Sequence, residues 1–222
     1  MANIVLHYVL DEWFEAEVRP RLRGQAFLIR YADDFVIGTA REDDARRVME
    51  VLPKRMSKYD LTVHPVKTRL VRFQPPEAED TDTKGRRRAA PETFDFLGFT
   101  HYWGRSRQGR WVVKRKTAPN RLVRALQRLS EWCRKHLHLP LKEQHQTLSQ
   151  KVQGHYEYYG ITGNYPGLQA FLRETRKIWR RWLSRRSRNG PMSWPDFLRL
   201  EQRYSLPKAR VVHSALSGAA KS

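Results

Sequence analysis

The chain has a single cysteine among 222 residues, Cys133, so neither an internal disulfide nor a cysteine-based zinc cluster can be built from it. It has no uninterrupted apolar stretch near the ~18 residues that a membrane span requires. The opening Met-Ala-Asn-Ile-Val-Leu-His-Tyr runs into Asp11, Glu12 and Glu15, which matches neither a signal peptide nor a transit peptide. These features set the expectation of a cytoplasmic protein with no membrane partner. Acidic residues are scarce beyond residue 80. Residues 81–222 hold 9 Asp/Glu against 30 Lys/Arg, whereas residues 1–80 hold 14 against 13. A net charge of +20 that resides almost entirely in the later part of the chain points to a polyanion held by that part. With 40% hydrophobic and 11% aromatic residues, the chain still has enough apolar material for a packed core.

Periodicity divides the chain near residue 117. Before it, residues 3–18 read as a helix with Ile4, Leu6, His7, Leu10, Phe14 and Val18 on one stripe. Phe27 to Tyr31 and Phe35 to Gly38 are apolar runs about a short acidic tip, the pattern of a β-hairpin over residues 27–38. Thr39 and Glu42 have the spacing of a capping box for a helix carrying Ala45, Val48, Met49, Leu52 and Met56, with Pro53 expected to kink or shorten it. Residues 61–73 read as mostly extended, and residues 74–92 as a polar loop containing Lys84-Gly85-Arg86-Arg87-Arg88. Residues 94–103 and 110–116 are aromatic-rich and β-like. After residue 117 only helices are expected, the first opened by Pro119, the third following Asn164 and a short fourth capped by Ser193. The fold class that results is α+β, with an all-helical second part.

The chemistry-bearing group is Tyr31-Ala32-Asp33-Asp34. Adjacent carboxylates at a hairpin tip repel unless a cation sits between them. Mg²⁺ takes carboxylate oxygens and substrate phosphates in one octahedron, and two such ions can clamp an in-line phosphoryl transfer. A solvated Asp-Asp turn is the alternative that these residues alone leave open.

Residues 2–11 before the hairpin, Tyr31-Ala32-Asp33-Asp34-Phe35-Val36, the segment from Leu61 to Lys67-Thr68, Phe94-Asp95-Phe96-Leu97-Gly98-Phe99, and Tyr158-Tyr159-Gly160-Ile161-Thr162-Gly163-Asn164 come in one order. In that order they resemble blocks of group II intron reverse transcriptases/maturases, over nearly the whole chain. The resemblance implies a partial reverse transcriptase palm, residues 1–116, and a helical thumb/maturase domain, residues 117–222. It implies Asp33 and Asp34 as metal ligands, Tyr31 and Ala32 beside the nucleotide or primer terminus, and Phe96, Leu97 and Gly98 as a primer-gripping segment within residues 94–103. Lys67 would be a charge partner of the palm site. It also implies Mg²⁺ as cofactor, and as partners intron RNA, a DNA primer or target, and a separate amino-terminal segment. Members of that family carry fingers and a first palm aspartate ahead of the matched region. The two-metal site is therefore expected to be incomplete here, since Asp11 lies mid-helix.

Within residues 171–190 seven Arg and one Lys face one Glu. Arg173, Arg176, Lys177, Arg180, Arg181, Arg185, Arg186 and Arg188 are the expected RNA-binding residues, their guanidinium forks suited to phosphate oxygens. Trp179 and Trp182 read as core rather than as stacking platforms. His136, His138, His145 and His155 lack zinc-ligand spacing and read as surface or RNA-facing.

Overall fold

The computed structural model describes residues 2–76, 91–186 and 190–213. The chain is mixed α and β, and it divides into two compact units. One comprises Met1–Leu97 with His101–Val113, the other Gly98–Thr100 with Lys114–Ser222.

The first unit opens with α1 (Ala2–Leu6), which continues as π-helical turns over His7–Glu12 and Phe14–Val18 and a 3-10 turn at Arg19–Arg21. This corrects the expected α-helical stripe. Val9, Leu10, Trp13, Phe14 and Val18 are buried, while Ile4 is 63% exposed. At 100° per residue, Val9 and Val18 would lie about half a turn out of phase. The wider i→i+5 winding brings both to one face. Two strands follow, β1 (Ala26–Tyr31) and β2 (Asp34–Thr39), antiparallel and in register from Ala26↔Thr39 to Tyr31↔Asp34. Helix α2 (Glu42–Ser57) places Val48, Leu52 and Met56, one turn apart, against the π-helical face, with Leu28, Phe35 and Ile37 from the hairpin closing the cluster.

The capping box expected for α2 does not form, and the helix is not shortened at its proline. Thr39 ends β2, and its hydroxyl donates to the Arg41 carbonyl at 2.9 Å, so no capping box forms. Glu42, Asp43 and Asp44 in the first turn instead complement the helix dipole. Pro53 does not shorten the helix, which runs on to Ser57. Its ring lies on the exposed side, where the carbonyl it frees can meet water.

A second sheet has the order β3 (Phe94–Phe96), β4 (Phe99–Arg105), β5 (Trp111–Thr117). The second unit is built on α3 (Pro119–Lys135), α4 (Leu141–Tyr159), α5 (Tyr165–Arg186) and α6 (Trp194–Arg203). Their core gathers Leu129, Leu148, Tyr156, Leu168, Trp179 and Phe197. Buried Gln144 fixes the loop between α3 and α4, its amide donating to the carbonyls of His136, Leu137 and Leu139 while its oxygen accepts from the Trp179 indole. Among the described residues no helix is long and apolar enough to cross a membrane. The basic cluster Lys84 to Arg88 and the tail from Ser214 lie outside the described residues.

Candidate active-site hairpin and basic helices

β1 alternates because one of its faces packs on the core and the other does not. Ala26 and Leu28 turn inward, whereas Phe27, Ile29 and Tyr31 are 54%, 51% and 68% exposed. Pairing of Tyr31 with Asp34 leaves Ala32 and Asp33 as a two-residue turn. Ala32 takes φ = 55°, a left-handed conformation that a primed hairpin turn demands and that costs a non-glycine residue of order 1 kcal/mol. Ala32, Asp33 and Asp34 are all exposed, so the turn presents both carboxylates to solvent at the end of a braced hairpin. On the same face the Phe27 ring covers Gly38. A Cβ at position 38 would stand 2.2 Å from its Cζ.

The brace is Arg30. Its guanidinium donates twice to Asp11, at 2.7 and 2.6 Å, and its Nη1 donates to the Ala32 carbonyl at 2.9 Å. The Arg30 hydrogen bond holds the Asp11 carboxyl below the usual carboxylate range. Asp11 is thereby committed to positioning the hairpin. Asp11→Asn should cost about 2 kcal/mol, because it leaves a mostly buried guanidinium half-paired. Urea unfolding would show it, and an unchanged midpoint would refute the brace. A second such carboxylate went unrecognised in the sequence. Asp44 is fully buried on α2, and its Oδ2 accepts from the Arg23 and Gly24 amides at 3.0 and 2.8 Å, fixing the loop that enters β1. Only its place among three first-turn acids hinted at it.

Among the described residues no group of three or more His, Cys, Asp or Glu is placed to hold a metal ion. Asp33 and Asp34 offer two adjacent carboxylates, with Asp11 engaged elsewhere. That donor set does not fit a complete two-metal centre.

The β-like run expected over residues 94–103 is interrupted at Leu97 and Gly98, after Phe96. Leu97 (φ 50°) and Gly98 (φ 79°) form the turn between β3 and β4, with positive φ at both central positions. Leu97 is strained there, since leucine has no local polar group to support the left-handed region. Phe96 is half-buried, and β3 lies against β2, beside the acidic hairpin. The Gly98 carbonyl accepts from the Ala118 amide at 3.0 Å, and a Cβ at position 98 would approach the Tyr159 hydroxyl to 3.1 Å. Lys67 sits in an exposed turn, and among the described residues no hydrogen bond or ion pair joins it to the hairpin.

The cations of α5 are less free than their density in the sequence suggests. Arg173 and Lys177 both engage Glu174, and Arg176 pairs with Glu201 of α6. Arg180 donates to the Met192 carbonyl, Arg181 to Ser130 and Arg186 to the Leu139 carbonyl. Arg185 lies over Trp182 at 4.7 Å, and Arg188 is outside the described residues. Arg176 and Arg180 are half-buried, and Arg173, Lys177, Arg181, Arg185 and Arg186 are exposed. Trp179 is fully buried, and half-buried Trp182 donates its indole N–H to Ser130. His155 corrects the surface reading of the histidines. It is buried against Phe171, ring centroids 3.7 Å apart, and burial pulls its pKa down to about 4. His136 and His145 are half-buried, each against a backbone carbonyl. Burial pushes the Cys133 thiol up to about 12, which leaves it unreactive.

No curated protein matches the chain. The family described as reverse transcriptase (RNA-dependent DNA polymerase) matches residues 1–101, so the segment that carries the acidic hairpin and the start of the second sheet is similar to reverse transcriptases.

Proposed function

We propose that this chain contributes the acidic hairpin of an RNA-directed DNA polymerase of the group II intron type, and that its basic helical part binds structured intron RNA. The observation that carries this reading is the exposed Asp33-Asp34 turn, held by Arg30 and Asp11, inside the segment that resembles reverse transcriptases. Asp33 and Asp34 would be ligands of Mg²⁺, with Tyr31 and Ala32 beside the growing strand and Phe96, Leu97 and Gly98 along the primer. Among the described residues these two carboxylates do not complete a two-metal site, and the proposal assigns the further acidic group to another reverse transcriptase segment. The 30 Lys/Arg beyond residue 80 support RNA as partner, read by shape and backbone. The commitment of Asp11 to Arg30 favours a second reading, an RNA-binding splicing factor without polymerase activity.

One set of assays separates the two. Primer extension on a primed RNA template is run with the chain alone, with an added amino-terminal reverse transcriptase segment, and with Asp33→Asn in the mixture. Binding to intron RNA is followed in parallel across a salt series. The expected results are no extension by the chain alone, extension by the mixture, and loss of extension with Asp33→Asn at unchanged RNA affinity. Binding should weaken with salt at a log–log slope of about −0.7 to −0.9 per phosphate contacted. An inactive mixture whose parts demonstrably associate would favour the splicing factor. A salt-independent affinity would remove the RNA assignment.

A further inference from the structure

The later half of α5, Pro191 and Trp194 flank an open groove of about 710 Å³, within the size range of small-molecule sites. Its walls carry Lys177, Arg180, Arg181, Arg185 and Trp194 against one carboxylate, Glu174, which Arg173 and Lys177 already share. The groove is built rather than incidental. Arg180 Nη1 donates to the Met192 carbonyl at 2.8 Å, the Met192 amide donates to Ser184 Oγ at 3.0 Å, and that hydroxyl donates to the Arg180 carbonyl at 2.9 Å. Ser193 caps α6, fixing the first turn that carries Trp194. The Arg180 guanidinium lies 4.3 Å from the centre of the Trp194 ring, yet the residue remains 40% exposed. A partly uncovered indole therefore stands beside a cationic groove. On the α5 side, Arg185 and Arg181 lie over Trp182 at 4.7 and 5.5 Å, and among the described residues no carboxylate pairs with Arg185.

We infer that this groove holds one unpaired nucleotide, its base on the uncovered part of Trp194 and its phosphate among Arg181, Arg185 and Lys177. An aromatic face beside positive charge takes a base and its phosphate together, and every base has a face to stack. Arginine forks suit the phosphate oxygens. An A-form duplex keeps its bases stacked and would meet only the cations. The inference rests on the RNA-binding reading of the helical part and narrows it to a single-strand contact. The same chemistry would accept a free nucleoside monophosphate, so the test distinguishes the two sources.

Fluorescence anisotropy of the full chain is measured with a short unstructured oligoribonucleotide and with the matching duplex, with AMP as competitor. Trp194→Ala should weaken single-strand binding about 10-fold, the effect of losing one stacked base, and leave duplex binding within about 2-fold. Trp194→Phe should restore most of the loss. Arg185→Gln, at an exposed position that leaves the core intact, should weaken single-strand binding by several-fold. With these effects intact, competition by AMP means that a free nucleotide suffices, and its absence means that the site needs a strand; both uphold the site. Equal losses on single strand and duplex, or no loss with Trp194→Ala, would overturn it while the RNA-binding reading stands. A wild-type chain that binds neither RNA would bring down both.

Discussion

Replacing Asn164 by alanine should lower the stability of the helical unit by about 3 kcal/mol, the loss expected when a buried amide leaves several partners unsatisfied. Asn164 is 1% exposed and directly precedes α5. Its Oδ1 accepts from the Thr117 amide at 2.9 Å, and its Nδ2 donates to the Thr117 hydroxyl and the Tyr159 carbonyl, both at 2.8 Å. Alanine would strand the Thr117 N–H, which has no other route to water since Thr117 is itself 6% exposed. Asn164→Asp is not a safe replacement, because it removes both donors and sets a charged oxygen against the Tyr159 carbonyl. Gly167 shares the site, since a Cβ there would stand 2.5 Å from Asn164 Oδ1. Gly167→Ala should therefore destabilise as well, and the double variant should lose less than the sum of the two. Thermal melts followed by circular dichroism would report a drop of roughly 6–12 °C for Asn164→Ala. A change below about 1 kcal/mol would show that water replaces the side chain.

The second large effect is set by pH. His155 is buried with its Nε2 unpartnered, and its folded-state pKa lies near 4, below the ordinary value of 6.5. The folded state therefore stays neutral where the unfolded chain takes up a proton. Stability contributed by this group is complete above about pH 6.5 and is lost as the pH falls, down to about pH 4, where the folded form also protonates. The full swing is on the order of 3 kcal/mol. His155→Leu keeps an apolar side chain against Phe171 and removes the titration. Its melting temperature should change much less between pH 7 and pH 5 than that of the wild type. Parallel declines in the two proteins would place the acid sensitivity elsewhere. Carboxylates such as Asp11 and Glu174, whose pKa values lie below their ordinary range, contribute at lower pH and are common to both.

The mixed α and β class and the run of helices from Pro119 onward were legible because helical and strand periods differ so strongly. The acidic hairpin was legible for the same reason, two apolar runs bracketing three residues. What escaped were features set by partners distant in sequence. A helical stripe assumes 100° per residue, so the π-helical turns moved Val9 and Trp13 inward and left Ile4 exposed. Nothing local in the sequence marks Asp11 and Asp44 as structural acids, because Arg30 and the Arg23–Gly24 amides that they serve are distant along the chain. His155 resembled the other histidines of the helical part until α5 placed Phe171 on its ring. The arginine run of α5 was plain in composition, but its pairing with Glu174, Glu201, Ser130 and backbone carbonyls depends on packing. Trp194, outside that run, gave no signal of standing over a groove.

Phe27 and Gly38 face each other across the hairpin, the ring lying where any side chain at position 38 would begin. The two positions are therefore one unit of inheritance. Enlarging residue 38 requires the exposed Phe27 ring to swing aside or residue 27 to shrink, so each position biases the other. Among homologues the pair should vary jointly, aromatic with glycine or small with small, even where the carboxylates at the hairpin's tip are fixed.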